Sequence, residues 1–106
     1  PGELTKKRCV PCEGRVPALD AATIGSFMSE VPGWQLRATA ITKTYSFPDF
    51  AAAMVFVNRM AQLAEDEGHH PDFCVHYGQV DVTLTTHAAS GLTENDFIVA
   101  AKIDAF

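Results

Sequence analysis

The most constraining feature of this sequence is an alternating pattern on both sides of one glycine. Apolar and polar residues alternate over residues 72–77 and again over residues 80–85. A period of two is typical of strands that bury one face. The pair Gly78-Gln79 between the two runs suits a two-residue type II′ turn, which favours glycine at its first central position. The sequence therefore predicts an antiparallel hairpin whose apolar side chains share one face.

The predicted turn also sets the register of this hairpin. Directly opposed residues have Cβ atoms roughly 4.5–5.5 Å apart, so the register decides which side chains meet. A slip of one residue would move every apolar side chain to the wrong face. The predicted pairs are Tyr77 with Val80, His76 with Asp81, Val75 with Val82, Cys74 with Thr83, Phe73 with Leu84 and, beyond them, His70 with His87.

A long helix precedes the hairpin and carries two histidines to its open end. Pro48 suits the first turn of a helix, and apolar residues recur at spacings of three and four over residues 50–64. Gly68 is a natural helix stop, and Pro71 favours an extended conformation in the residue before it. Three imidazoles are therefore expected at one end of the hairpin: those of His69, His70 and His87.

This histidine cluster predicts proton-transfer chemistry. Imidazole is the side chain best suited to general acid–base catalysis near neutral pH. A zinc site with three histidine ligands is the competing chemical interpretation. Glu65 lies one helical turn before His69 and either holds an imidazole in one tautomer or is a solvated helix charge. His76, on the opposite face, is expected in a surface ion pair rather than in catalysis.

The other elements predict an α+β fold. Asp20 suits the N-cap of a first helix that Pro32-Gly33 ends, and Thr93 with Asp96 has the form of a capping box at the start of a last one. The capping box explains Asp96 without catalysis. The order helix, two strands, helix, two strands, helix predicts a four-stranded antiparallel sheet with three helices packed on one face. Two apolar rows on the long helix, with an almost wholly apolar last helix, indicate either an oligomer interface or simply core.

Composition narrows the function classes further. The chain has 106 residues, 47% of them hydrophobic, which is enough for one domain with a core. A net charge of −5 argues against direct nucleic-acid binding. No apolar run approaches the roughly 20 residues that cross a membrane, and no signal peptide is visible. The expected location is cytoplasmic, with a removed organelle-targeting peptide as the open alternative.

The first 18 residues read as an irregular leader before a single domain at residues 19–106. The leader contains Cys9-Val10-Pro11-Cys12, which has the spacing of a zinc-binding or thioredoxin-like pair. A second ligand pair and a strand-to-helix context are both missing, so a surface loop with thiols is the preferred interpretation. Three cysteines in all fit a reducing compartment better than a disulfide framework.

Residues 65–96 resemble the pterin-4a-carbinolamine dehydratases. The runs Gly91-Leu92-Thr93 and Pro32-Gly33-Trp34 also resemble that family, and the leader through Gly14 resembles its versions in plants, protists and some bacteria. The central motif is carried by Glu65, His69, His70, Pro71, Tyr77, His87 and Asp96.

The resemblance implies a lyase that dehydrates 4a-hydroxytetrahydrobiopterin to quinonoid dihydrobiopterin, in tetrahydrobiopterin recycling. It implies that neither a metal nor an organic cofactor is needed. It also implies a homodimer or a homotetramer. His69 and His87 are expected as the acid–base pair, in either order, and His70 as the residue that orients the pterin. Pro71 and Asp96 are expected in support. The residues expected to contact the pterin are Glu65, Gly68, His69, His70, Thr85, Thr86, His87 and Ala88.

A non-catalytic binding module is the alternative from a different functional class. Animal members of the family also act as a dimerisation partner of a homeodomain transcription factor. This sequence neither indicates nor excludes such a partner. The three histidines favour the enzyme, because a scaffold alone does not need them.

Overall fold

The computed structural model describes residues 3–11 and 17–106, which form one antiparallel sheet covered on one face by three helices. The strands lie in the order β1-β2-β4-β3. The predicted α+β class and the predicted element order are confirmed. The elements are α1 (Ala21–Met28), β1 (Gln35–Arg37), β2 (Ala40–Ser46), α2 (Phe50–Glu67), β3 (Asp72–His76), β4 (Gln79–Leu84) and α3 (Glu94–Asp104), with 3₁₀ turns at Leu4–Lys6 and His87–Ala89.

The core lies between the sheet and the helices. The apolar residues of β4 alternate with polar ones, and Val80, Val82 and Leu84 are fully buried. In α3, most of the apolar residues are buried within this one chain. The second apolar row of α2 is also largely core, since Phe56 and Met60 are buried. None of the described helices is long and apolar enough to cross a membrane.

The helix ends follow the capping residues in the sequence. Asp20 accepts a hydrogen bond from the Thr23 N–H and begins α1, as predicted. The predicted Thr93–Asp96 capping box is present at the start of α3. The start of α2 differs slightly from the prediction, which placed Pro48 in the first turn of the helix. Asp49 is its N-cap, so Pro48 lies just before the helix and not in its first turn.

The helix α1 also ends earlier than the sequence predicted. Its last residue is Met28, whereas the predicted end was at Pro32-Gly33. The four following residues form turns and bends instead. Glu30 and Val31 donate backbone hydrogen bonds to carbonyls three residues back, which is the tighter geometry of a helix end.

The predicted register of the hairpin was wrong by two residues. Val75 lies opposite Val80, Phe73 opposite Val82, Cys74 opposite Asp81 and His76 opposite Gln79. Tyr77 is therefore in the turn and not paired with Val80. A shift of two residues keeps every side chain on its predicted face, so alternation alone does not distinguish the two registers. The pairing of His70 with His87 is also wrong, because the ladder between β3 and β4 ends at Asp72 and Thr83.

The turn glycine has a different purpose from the one predicted. Gly78 does not have the positive φ that a type II′ turn needs at its first central position. Its carbonyl instead accepts a hydrogen bond of 2.8 Å from the Phe47 N–H. A Cβ at residue 78 would lie 2.9 Å from the Phe47 carbonyl oxygen, which is too close. The glycine is thus required by a long-range backbone contact.

Candidate active site

The C-terminus of α2 places His69. Gly68 adopts the left-handed conformation, with φ 66°, and ends the helix as predicted. The N–H groups of Gly68 and His69 both point back to the Ala64 carbonyl, which ties the first residue after the helix to its last turn. The position of His69 is therefore set by backbone hydrogen bonds to the last turn of α2.

His69 is paired with a buried carboxylate on α3. Its Nε2 lies 2.6 Å from Asp96 Oδ1, and the two side chains are 10% and 0% exposed. The two residues are 27 positions apart in sequence. Sequence reasoning assigned Asp96 to the capping box and did not predict this contact. The only signal for it was the position of Asp96 in the family motif.

The other oxygen of Asp96 fixes the carboxylate in place. Oδ2 accepts a hydrogen bond of 2.8 Å from the Thr86 hydroxyl and one of 2.9 Å from the Thr93 N–H. The two threonine hydroxyls are themselves 2.8 Å apart. A carboxylate only accepts, so the proton shared with His69 belongs on Nε2. The Nδ1 atom of His69 is thereby left to accept or exchange a proton with a substrate.

A second histidine–carboxylate pair lies beside the first. His70 Nε2 is 2.5 Å from Glu65 Oε2, across five residues at the end of α2. The side chains are 59% and 74% exposed. Glu65 therefore contacts His70 and not His69. Pro71 follows directly and precedes β3.

His87 follows β4 and leaves the hairpin at the same end at which His69 and His70 lead into β3. It begins the 3₁₀ turn His87–Ala89, just after β4, and its side chain is exposed, as is that of Ala88. Thr86 before it pairs with Gly91 in an isolated bridge, which anchors the turn.

Two threonines expected to contact a ligand use their hydroxyls within the protein. Thr86 is 3% exposed and donates to Asp96, as described above. The Thr85 hydroxyl donates to the Thr39 carbonyl, at 2.6 Å, and so ties β4 to the turn between β1 and β2. Both residues hold the framework around His87.

His76 lies apart from this cluster, on the uncovered face of the sheet. Its Nε2 is 3.0 Å from Asp81 Oδ2, and both side chains are about half exposed. The predicted surface ion pair is confirmed, although the two residues are diagonal neighbours in the observed register. Hydrogen bonds from the Thr44 hydroxyl and then from His76 hold the pKa of Asp81 below its usual range.

His69, His70 and His87 lie outside the three cavities described next. Three cavities of about 230 to 340 Å³ lie elsewhere, and none of the three is lined by His69, His70 or His87. Within residues 3–11 and 17–106, no three His, Cys, Asp or Glu side chains are grouped so that they could hold a metal ion. The geometry of a three-histidine zinc set is therefore not formed by these described residues.

Two solved structures are similar in fold and in sequence to this chain. A crystal structure from Brucella melitensis, described as a transcriptional coactivator/pterin dehydratase, is 37% identical with a TM-score of 0.80. The match covers 83% of this chain and 96% of that one. A pterin dehydratase-like protein identified as a RuBisCO assembly factor of the alpha-carboxysome is 26% identical, with a TM-score of 0.57 over 68% of this chain and 83% of that one.

Similar sequences match over more of the chain than the solved structures do. A protein of Azoarcus sp. (strain BH72) that is provisionally named a pterin-4-alpha-carbinolamine dehydratase is 46% identical over 96% of this chain and 89% of its own length. One from Rubrobacter xylanophilus, with the same provisional name, is 42% identical over 96% of each chain. The family model described as pterin 4 alpha carbinolamine dehydratase matches residues 17–106. With its sheet, its helices and the motif residues around His69 all accounted for, the chain belongs to the pterin-4-alpha-carbinolamine dehydratase family.

Proposed function

We propose that this protein is a hydro-lyase that removes water from 4a-hydroxytetrahydrobiopterin and releases quinonoid dihydrobiopterin. The family implies a pterin substrate. The reaction breaks the bond between C4a and its hydroxyl oxygen, which leaves as water after receiving a proton. The N5 proton is lost and its electron pair forms the new double bond to C4a. Both proton transfers suit imidazole at neutral pH.

The observation that carries this proposal is the buried pair of His69 and Asp96. A carboxylate behind an imidazole fixes its tautomer and stabilises its charged form, as in other acid–base sites. Asp96 is held by two further donors and is wholly buried, so the pair needs little reorganisation during proton transfer. A stability argument alone does not call for a histidine at this position.

His69 and His87 share the acid and base roles in this proposal, and His70 orients the pterin. The Nε2 atom of His69 is engaged by Asp96, so its exchange with the substrate goes through Nδ1. His70, with Glu65 beside it, offers a polar contact on the exposed side of the site. The exposed position of His87 leaves its imidazole accessible to a ligand.

Substrate binding is proposed for the main chain and side chains around these histidines. The set includes Gly68 and Ala88 at the two ends where the chain enters and leaves the cluster. No organic cofactor or metal is required, since the imidazoles supply both proton transfers. The proposed role is tetrahydrobiopterin recycling in the cytoplasm, as a homodimer or homotetramer.

Stopped-flow measurement of dehydration, with freshly generated 4a-hydroxytetrahydropterin, tests this function. The wild-type protein should accelerate the loss of the carbinolamine well above the spontaneous rate. The variant His87→Ala should lower kcat by roughly 10²–10⁴-fold while the melting temperature barely changes, since the side chain is exposed. Wild-type protein without any acceleration would refute the enzyme, and near-normal turnover by His87→Ala would remove this residue from the mechanism.

A non-catalytic interaction module is the second candidate. The descriptions of the two solved relatives name a transcriptional coactivator and a RuBisCO assembly factor, so this fold is associated with roles other than dehydration. Exposed apolar side chains on α2, those of Phe50 and Val55, are available for a partner. A protein that does not accelerate dehydration but forms a stable complex through this helix would favour the module.

A further inference from the structure

The described N-terminal residues 3–11 lie against the helices that carry the site. Leu4, in the first 3₁₀ turn, is 2% exposed and belongs to the core. Its turn packs on α3. Lys7 reaches Glu94 at the start of that helix, with 2.5 Å between the charged atoms. The segment is therefore part of the packed structure in this range.

The same segment contacts the residue that precedes Asp96. The Val10 N–H donates to Asn95 Oδ1 at 3.0 Å, and Asn95 Nδ2 donates to the Val10 carbonyl at 2.7 Å. The Cys9 thiol donates to the Asn95 carbonyl at 3.7 Å. The first turn of α3, which carries Asp96, is thus bonded to the segment from two sides.

The segment also reaches the end of α2, just before His69. Arg8 donates to the Asp66 carbonyl at 2.9 Å, one of the carbonyl groups left without a helical partner at a C-terminus. The Cys9 N–H donates to Glu67 Oε1 at 2.8 Å. A cation beside a helix C-terminus is favourable because the helix dipole is negative there.

Glu67 is where these contacts converge. Its other oxygen accepts a hydrogen bond of 2.7 Å from Lys102 on α3, and Arg8 Nε lies 3.4 Å from the same atom. The Glu67 side chain is 4% exposed and that of Lys102 is 16% exposed. Burial raises the pKa of Glu67, but the Lys102 hydrogen bond, the Cys9 N–H and the two positive charges outweigh it and leave the pKa below its usual range.

We infer that Glu67 is a positioning residue that holds the C-terminus of α2 to α3 and so keeps His69 within hydrogen-bond distance of Asp96. Glu67 precedes His69 by two residues, with only Gly68 between them. Lys102 is on the same helix as Asp96. A displacement of about 1 Å between two reacting groups lowers rates by up to a hundredfold, so a link at this junction affects the chemistry without touching the substrate.

The chain offers a matched control in a second ion pair of α3, at the last residue of the helix. Lys43 forms an ion pair of 2.8 Å with Asp104, and the two side chains are about one-quarter exposed. The variant Lys43→Met thus removes a cross-element ion pair from the same helix, but one that joins α3 to β2 and not to α2. The test variants are Glu67→Ala and, should that one fail to fold, Glu67→Gln.

Two measurements distinguish positioning from a general loss of stability. The first is the ¹⁵N chemical shifts of the His69 ring, which report which nitrogen bears the proton and do not depend on activity. The second is the separation of kcat from KM, whose interpretation rests on the proposed dehydratase function. Glu67→Ala should move the His69 shifts towards those of an unpaired imidazole and lower kcat roughly tenfold, with KM changed less than about twofold. Lys43→Met should leave the His69 shifts, kcat and KM near the wild-type values.

The outcomes separate the two proposals. Unchanged His69 shifts in the Glu67 variants, or equal changes in Lys43→Met, would overturn the positioning role. Changed shifts in a protein whose wild type has no dehydratase activity would uphold the positioning role and refute the proposed function. Changed shifts with an unchanged kcat would likewise uphold the structural link and remove the His69–Asp96 pair from catalysis.

Discussion

Two histidine–carboxylate pairs in this protein share their chemistry and differ in their surroundings. His69 and Asp96 are 2.6 Å apart with side chains 10% and 0% exposed, whereas His76 and Asp81 are 3.0 Å apart with side chains 57% and 47% exposed. Water competes for the exposed pair, so it contributes little to stability. The buried carboxylate is held by two further donors and cannot turn away. The burial of the carboxylate and the two further hydrogen bonds that hold it, rather than the histidine–carboxylate pair itself, therefore indicate function.

The two pairs also differ in how the chain forms them. His76 and Asp81 are diagonal neighbours on the two strands of a single hairpin, five residues apart. His69 and Asp96 belong to the end of one helix and the start of another, 27 residues apart. The first pair requires only local structure, and the second requires the whole packing of α2 against α3. Burying the Asp96 carboxylate costs free energy unless it is hydrogen-bonded, so such a pair favours a function over a purely structural role.

The largest expected effect is the loss of turnover on removing the buried imidazole. His69→Ala should lower kcat by roughly 10²–10⁴-fold, because one of the two proton transfers loses its catalyst. The control His76→Ala should leave turnover within about twofold, since that residue lies on the uncovered face in a surface pair. Stopped-flow kinetics on both variants measures the contrast. Similar losses in the two variants would break the comparison.

A smaller loss is expected from the carboxylates. The amide of Asp96→Asn would donate to His69 Nε2 and force its proton onto Nδ1, so kcat should fall roughly tenfold to hundredfold. Asp81→Asn should have no measurable effect on turnover. The same assay, together with melting temperatures for both variants, checks this prediction. Normal turnover by a folded Asp96→Asn protein would show that Asp96 serves only as a helix cap.

The pH dependence of stability extends the comparison to two lysine–glutamate pairs. The pKa of Glu67 is lowered, so its contribution to stability is fully present above its unfolded value of 4.5 and is lost as the pH falls through the folded pKa. Glu67→Gln should thus cost about 2 kcal/mol at neutral pH, with the difference from wild type shrinking below pH 4.5.

The control for this prediction is the exposed pair of Lys7 and Glu94. Their side chains are 47% and 40% exposed, so Glu94→Gln should change the free energy of unfolding little at any pH. Denaturant unfolding followed by circular dichroism, at several pH values, measures both variants. A Glu67→Gln deficit that does not shrink in acid would contradict the lowered pKa.

Cys9 and Cys74 are expected to differ in reactivity, because one thiol is partly buried and the other is exposed. Burial, followed by the nearby charge of Glu67, raises the pKa of Cys9 to about 12. Cys74 is exposed on β3. Since the thiolate is the reactive form, iodoacetamide at pH 8 should modify Cys74 at least about tenfold faster than Cys9. Peptide mass spectrometry distinguishes the two sites from Cys12, which lies outside the described residues. Equal rates would mean that the N-terminal segment opens readily.

The smallest expected effect is that of metal removal. Proton transfer by imidazoles needs no metal, so exhaustive treatment with EDTA should leave turnover unchanged. The measurement is the same stopped-flow assay before and after dialysis. Activity that is lost and then restored by zinc would favour the hydrolase interpretation of the three histidines.

Much of the local structure was readable from single residues. Asp20, Gly68 and the Thr93–Asp96 box set helix ends as predicted, because a cap depends on a side chain and its own neighbouring N–H groups. The faces of β3 and β4 were predicted for a similar reason. Period-two alternation is a property of the strand itself, and it follows from which side chains avoid water.

The error in the hairpin register involves a contact between distant segments. The hairpin register differed by two residues because a two-residue shift preserves alternation. What distinguishes the observed register is a contact between Gly78 and Phe47, 31 positions away in the numbering. For the second apolar row of α2, the sequence left core and oligomer interface as alternatives, and the packing of the chain places Phe56 and Met60 in the core.

By itself, the sequence determined which elements form, where most of them begin, and that three histidines belong to one family motif. Only the tertiary structure decided which acid each histidine meets: Asp96 for His69 and Glu65 for His70. It also decided that Glu67 faces Lys102. The physical reason is that caps and alternation depend on interactions within a few residues, whereas the His69–Asp96 and Glu67–Lys102 pairs depend on how α2 and α3 pack, which no local pattern encodes.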